Sequence, residues 1–239
     1  MRALHSLFLW SAGLEGLLLT LVDVYFHSLF QSPQQLDKRF KTRIRGLFKR
    51  LQSPVIISGN IPDPAEGPYI YMANHTSLLD VPLLKLAIPG YSRGILSDHQ
   101  FNWPLYGAVL KRTQEIAIPR KQMQGSKRAF AEATRLIREE NMSITVLPEG
   151  GRSLDGQLLP FKTLPFQFAL EAGVSIIPVY LQGPFEMKSK NSWYIKPQKL
   201  HVHFGQPVAT QGTTARELRE LVFQVFQSLE GELSNHVES

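Results

Sequence analysis

The 239-residue chain contains no cysteine. That excludes disulfides, thiol nucleophiles and cysteine metal sites together, and leaves the redox compartment open. Histidine is sparse. His201 and His203 alternate on an expected strand, but without the further histidines or carboxylates of a metal centre, so no metal is expected. There is no G-x-S-x-G elbow to present a serine nucleophile. The chain also lacks internal repeats, low-complexity tracts and any uncharged apolar run of the ~18–20 residues that a spanning helix needs. No clear small-residue cleavage site follows the early apolar stretch, which argues against a removed signal peptide. What is present, at 43% hydrophobic content, fits one sizeable core with a short appendage.

Charge is unevenly placed. Between Leu36 and Leu51 seven bases (Lys38, Arg39, Lys41, Arg43, Arg45, Lys49 and Arg50) stand against Asp37, an excess equal to the whole chain's net +6. Leu36, Phe40, Ile44, Leu47, Phe48 and Leu51 recur on one helical face of the same segment. A basic amphipathic helix of this kind reads as one lying on an anionic membrane, with a solvated helix docked on its own core as the plainer alternative. Nucleic acid is not expected, because no recognition motif or stacking platform accompanies the charge. Residues 3–30 are rich in Leu, Phe and Val, with Glu15 and Asp23 the only formal charges; these fall about 80° apart on a helical wheel and, flanked by Ser11 and His27, form a narrow polar stripe. This segment could lie in the interface, span with its acids facing protein, or pair with residues 36–51 as a hairpin. Residues 1–52 are therefore expected to be a membrane-associating helical segment.

From residue 53 to 239 the texture changes. Strands are expected at Val55–Ser58, Tyr69–Met72, Ser92–Ser97, Glu115–Ile118, Ser143–Leu147, Ser175–Tyr180 and Leu200–Phe204. Helices are expected at Leu78–Ala87, Trp103–Leu110, Ser126–Glu139, Leu164–Ala172 and Ala215–Glu230, the last opened by the capping box Thr214-Ala215-Arg216-Glu217. The alternation predicts an α/β fold, a single mixed β-sheet wrapped by helices.

The most informative stretch is Asn74-His75-Thr76-Ser77-Leu78-Leu79-Asp80. An imidazole within reach of a carboxylate is the minimal device for taking a proton from a hydroxyl near neutral pH. On a regular helix His75 and Asp80 would sit about 140° apart. They meet only if His75 lies in a loop and Asp80 in the first helical turn, a placement that Pro82 near a helix start supports. Two further loops fall where strands end, the usual place for sites in such sheets. These are Pro119-Arg120 and Pro148-Glu149-Gly150-Gly151-Arg152. The glycine pair permits close backbone approach to a ligand, and Arg120 and Arg152 suit a phosphate or carboxylate.

These residues, taken in order, resemble the PlsC-type glycerolipid acyltransferases, the 1-acyl-sn-glycerol-3-phosphate (lysophosphatidic acid) acyltransferase family. Asn74–Asp80 looks like the family's N-H-x-x-x-x-D block and Ile116-Ala117-Ile118-Pro119-Arg120 like its second. Pro148–Ser153 looks like P-E-G-T-R-S, and Ile177-Pro178-Val179 like V-P-V. Trp103–Gly107 and Leu159-Pro160-Phe161-Lys162 also fit, and the likeness runs from about Val55 to Pro207.

The resemblance implies transfer of a fatty acyl group from acyl-CoA or acyl carrier protein to the free hydroxyl of 1-acyl-sn-glycerol-3-phosphate, giving phosphatidic acid. It makes His75 the general base and Asp80 the group that orients and stabilises it. Asn74 and the backbone near Glu149–Gly151 become candidates to polarise the thioester oxygen. Arg120, Glu149, Gly150, Gly151, Arg152 and Lys162 become acceptor-binding candidates. No cofactor or metal is implied. The implied partners are membrane lipids, at the cytoplasmic face. Gly151 stands where the family usually has threonine, Thr163-Leu164 where a base and glycine are frequent, and Glu115 where glycine is frequent. These departures bear on the acceptor more than on the reaction, and leave a lyso-aminolipid or glycerol-3-phosphate as alternatives. From other classes come a hydrolase using Ser77 or Ser153, and a non-catalytic lipid-binding protein.

Overall fold

The computed structural model describes residues 2–119 and 121–237. Arg120 lies outside the described residues. The element order is α1 (Arg2–His27), α2 (Pro33–Arg50), β1 (Val55–Gly59), β2 (Ile70–Ala73), α3 (Asp80–Ala87), β3 (Ser92–Ser97), α4 (Tyr106–Arg112), β4 (Ile116–Ile118), α5 (Met123–Glu140), β5 (Ser143–Val146), α6 (Leu164–Ala172), β6 (Ile176–Gln182), α7 (Pro184–Met187), β7 (Leu200–Phe204) and α8 (Ala215–Val237). The strands form one sheet of order β1-β7-β6-β2-β5-β3-β4, in which every pairing is parallel except β6 with β7. The fold is thus the mixed sheet wrapped by helices that the alternation predicts.

Strand β2 lies at the centre of the sheet, buried along its whole length between β5 and β6. Its period-2 alternation builds two cores. Ile70 and Met72 pack with Phe130, Phe166, Phe168 and Phe226 from α5, α6 and α8. Tyr71 and Ala73 pack on the opposite face with Phe48 of α2 and with Leu83 and Leu84 of α3. The central strands β2 and β6 read as nearly continuous apolar runs because both faces are covered, whereas β7 shows the alternation of a half-covered strand. Helix edges shifted more. Helix α3 begins at Asp80 because Leu78 and Leu79 belong to the preceding turn, and α8 runs on to Val237 with Leu233 buried in the stripe begun by Leu218. The capping box of α8 is formed, Glu217 N–H donating to Thr214 Oγ1 and Thr214 N–H to Glu217 Oε2. A second box, Ser32 with Gln35, opens α2; its S-x-x-Q pattern is equally readable in the sequence.

Of the arrangements open to the amino-terminal segment, the chain adopts the hairpin. The acids of α1 meet the bases of α2: Asp23 is 3.2 Å from Arg39 and 2.7 Å from Arg43, and Glu15 is 2.9 Å from Arg50. Away from this seam α1 leaves Leu4, Phe8, Leu18 and Phe26 more than half exposed. By length and composition Ala3–His27 suffices to cross a membrane, so α1 is compatible with membrane association.

The hairpin is keyed to the sheet by buried charge. Lys85 of α3 lies 2.7 Å from Glu115 and 3.6 Å from Asp37 of α2, and Asp37 is also 2.8 Å from Lys41. Lys41 donates to the Ile88 and Gly90 carbonyls beyond α3. Burial opposes a charged Lys85, but Glu115 and Asp37 more than offset it and hold the ammonium above the usual lysine range. Glu115, a departure noted in the sequence, thus belongs to this network and not to the acceptor loops. Removing one partner of a buried network strands the others. Lys85→Met should therefore cost about 3–5 kcal/mol of stability. Urea unfolding measures it, and a loss below about 1 kcal/mol would place the network's contribution at the level of surface pairs.

Candidate active site

Each residue of the Asn74–Asp80 loop is pinned by a different element. Asn74, immediately after β2, accepts from Leu181 N–H at 2.7 Å and donates to the Leu181 carbonyl at 3.0 Å. Its carboxamide clamps the loop to β6, so Asn74 positions the loop and is not placed to polarise a thioester oxygen. His75 donates its backbone N–H to Glu149 Oε1 at 2.7 Å, and its carbonyl accepts from Ser153 N–H at 2.8 Å. The loop is then turned by Asp80. One oxygen, Oδ2, lies 2.9 Å from His75 Nδ1 and accepts the Thr76 and Ser77 backbone N–H groups at 2.7 and 2.8 Å. Asp80 is fully buried, and its Oδ1 has no hydrogen-bond partner among the described residues.

A carboxylate at Nδ1 favours the tautomer protonated there, which in the neutral ring leaves Nε2 with a lone pair. Asp80 is the first residue of α3, where the helix dipole favours a negative charge. His75 is 8% exposed, and the surface it keeps lines a cavity of about 830 Å³. The cavity runs from His75 between the hairpin and the sheet. Its walls are mostly apolar, with Trp10, Leu14, Leu17, Leu47 and Trp103 prominent, and its polar lining includes Arg152 and Lys188.

The structure divides the expected site residues. His75, Gly151 and Arg152 line the cavity, with Asp80 directly behind His75. Glu149 is buried and holds the two loops together, accepting from His75 N–H and from Leu159 N–H at 3.1 Å. Both oxygens are engaged, and Glu149 is not among the residues that line the cavity. Gly150 adopts φ +70°, a conformation that suits glycine, and its N–H closes a turn onto the Leu147 carbonyl. Lys162 is exposed and its aliphatic stem lies near Gly150, away from the cavity lining. A Cβ at Gly151 would meet nothing within 4 Å, so the missing side chain widens the cavity there. Neither candidate nucleophile bonds His75: Ser77 Oγ donates to the Lys188 carbonyl and Ser153 Oγ to Asp155. Sequence reading missed Lys188 and the part that α1 and α2 take in the cavity wall. No local pattern marks either.

The family model described as Acyltransferase matches residues 54–182, more than half of the chain. The chain belongs to the acyltransferase family. A 1-acyl-sn-glycerol-3-phosphate acyltransferase of Limnanthes douglasii is 30% identical over 169 residues, covering 71% of this chain and 59% of that protein. Its counterpart in Haemophilus influenzae is 28% identical over 64% of this chain and 62% of its own length. This chain thus spans less than two thirds of these relatives. The crystal structure of the 1-acyl-sn-glycerophosphate (LPA) acyltransferase PlsC from Thermotoga maritima aligns over 98% of both chains, with a TM-score of 0.83 and 26% identity.

Glu149 gives this family member a pH-dependent element. Burial lifts its carboxyl from 4.5 to about 7, against the pull of the two N–H donors. A folded-state pKa above the unfolded one means that the folded chain holds the extra proton, so this group's contribution to stability declines as pH rises from about 4.5 to about 7. Glu149→Gln keeps one acceptor but turns an amide donor toward a backbone N–H, at a cost of about 1–3 kcal/mol. Glutamine does not titrate, so the variant's deficit in denaturant unfolding should be largest near pH 4.5 and narrow toward pH 7. A deficit that widens with pH would contradict this.

Proposed function

We propose that the chain transfers a fatty acyl group from acyl-CoA or acyl carrier protein to the free hydroxyl of 1-acyl-sn-glycerol-3-phosphate, forming phosphatidic acid. The observation that carries the reading is the His75–Asp80 pair, with His75 lining an apolar cavity that has Arg152 on its wall. Nε2 takes the hydroxyl proton as that oxygen attacks the thioester carbonyl, and the imidazolium then protonates the departing thiolate. Asp80 stabilises the transient charge. No covalent acyl-enzyme is needed, in keeping with a chain that has no cysteine and with serines bonded elsewhere. The Gly151 backbone is the remaining group near His75 to polarise the thioester oxygen. Arg152, joined by Arg120 through its place in the second sequence block, holds the acceptor phosphate.

The apolar cavity wall suits an acyl chain. The exposed face of α1 lies in the bilayer on the cytoplasmic side, so that lipid substrates enter laterally. The names of the relatives in Limnanthes douglasii and Haemophilus influenzae support this acceptor over a lyso-aminolipid or glycerol-3-phosphate.

An acceptor panel with labelled acyl-CoA and acyl carrier protein tests the reading. Lysophosphatidate should be the best acceptor, and His75→Ala should lower kcat by at least about a thousandfold with the fold intact. Turnover of the variant within tenfold of wild type would refute the base. Thioester loss that continues unchanged without any acceptor would favour a hydrolase.

A further inference from the structure

Lys188, just beyond α7, is a buried cation without a buried anion. It is 7% exposed, and among the described residues no carboxylate lies within ion-pair distance of it. Its Nζ donates to the Ser189 carbonyl at 2.7 Å and to that of Ser192, and lies 5.8 Å from the Trp10 ring centroid. Carbonyl dipoles and an aromatic face soften a buried charge, but they do not neutralise it. Burial, and then the nearby Arg152, hold this ammonium below the usual lysine range. Lys188 and Arg152 line the same cavity as His75. Ser77 Oγ donates to the Lys188 carbonyl at 2.7 Å, tying the cation to the catalytic loop. Two cations lining one cavity repel each other, and a dianion placed between them reverses the sign of that interaction.

Resting on the acceptor assigned above, we propose that Lys188 is a specificity residue that brackets the acceptor's phosphate monoester together with Arg152, holding the free hydroxyl at His75. Trp10 covers the ammonium from α1, so the amino-terminal hairpin completes this half of the site. A phosphate on the acyl donor has the same chemistry, and kinetics separate the two sources.

The test uses the full chain with acyl-CoA, taking lysophosphatidate and 1-monoacylglycerol in turn as acceptor. Lys188→Met should raise the KM for lysophosphatidate about ten- to a hundredfold. It should cut the preference for lysophosphatidate over monoacylglycerol by a similar factor, with donor KM moving less than twofold. Lys188→Arg should restore most of that preference. Should Lys188→Met fail to fold, Lys188→Gln provides the same ratio. Equal loss on both acceptors, or a rise confined to donor KM, would overturn the proposal. Wild-type transfer to lysophosphatidate with an unmoved ratio in the variants would refute only the role of Lys188. Absence of wild-type transfer to lysophosphatidate would remove the acceptor assignment, and this proposal with it.

Discussion

Asp80 Oδ2 accepts three N–H groups, from the His75 ring and from the Thr76 and Ser77 backbone, and so fixes the turn that joins the central strand to α3. The same oxygen sets the tautomer of His75 and the path of the chain carrying it. Other constraints converge on that turn. Asn74 ties its start to β6, Glu149 takes the His75 N–H, and Ser153 donates to the His75 carbonyl. The base role proposed for His75 requires the ring to be held within tenths of an ångström of its working position. Here the holding comes from backbone hydrogen bonds, and the carboxylates that supply them are buried where each bond is strong.

The amino-terminal hairpin serves the same site from the other side. Its inner face closes the cavity with Trp10, Leu14, Leu17 and Leu47, and its outer face exposes leucine and phenylalanine. Asp37 carries the link to the sheet, through Lys85 and Glu115. The ion pairs of Lys85 thus join the hairpin to α3, the helix that Asp80 begins. The cationic lining of Arg152 and Lys188 adds an electrostatic requirement to an otherwise apolar cavity, a combination that suits an amphiphile with one charged end.

Much of this was legible in the sequence, for definite reasons. The seven strands appeared because each is a short β-rich run bounded by turn residues, continuous and apolar at the sheet centre and alternating in β7. The pairing of His75 with Asp80 followed from spacing, since five residues can close only across a loop-to-helix junction. Side chains whose type fits two roles were less legible. Glu149 and Asn74 entered as site candidates through the family resemblance. The burial of Asn74 against Leu181 of β6, and of Glu149 against the His75 and Leu159 N–H groups, cannot be seen locally. Lys188 gave no sign at all, since Met187-Lys188-Ser189-Lys190 reads as an ordinary surface turn. What distinguishes Lys188 is Trp10, brought over it by the hairpin from the far end of the chain. The acids of α1 were visible as a stripe, but their pairing with Arg39, Arg43 and Arg50 required the hairpin to be known.

The central claim is that the Asp80 charge, and not merely its shape, lets His75 work as a base. Asp80→Asn tests this most directly, because an amide oxygen at the Oδ2 position can still accept the three N–H groups while the charge is lost. Its kcat should fall about 10³- to 10⁴-fold with the circular dichroism spectrum unchanged. A folded variant whose kcat stays within tenfold of wild type would contradict the account.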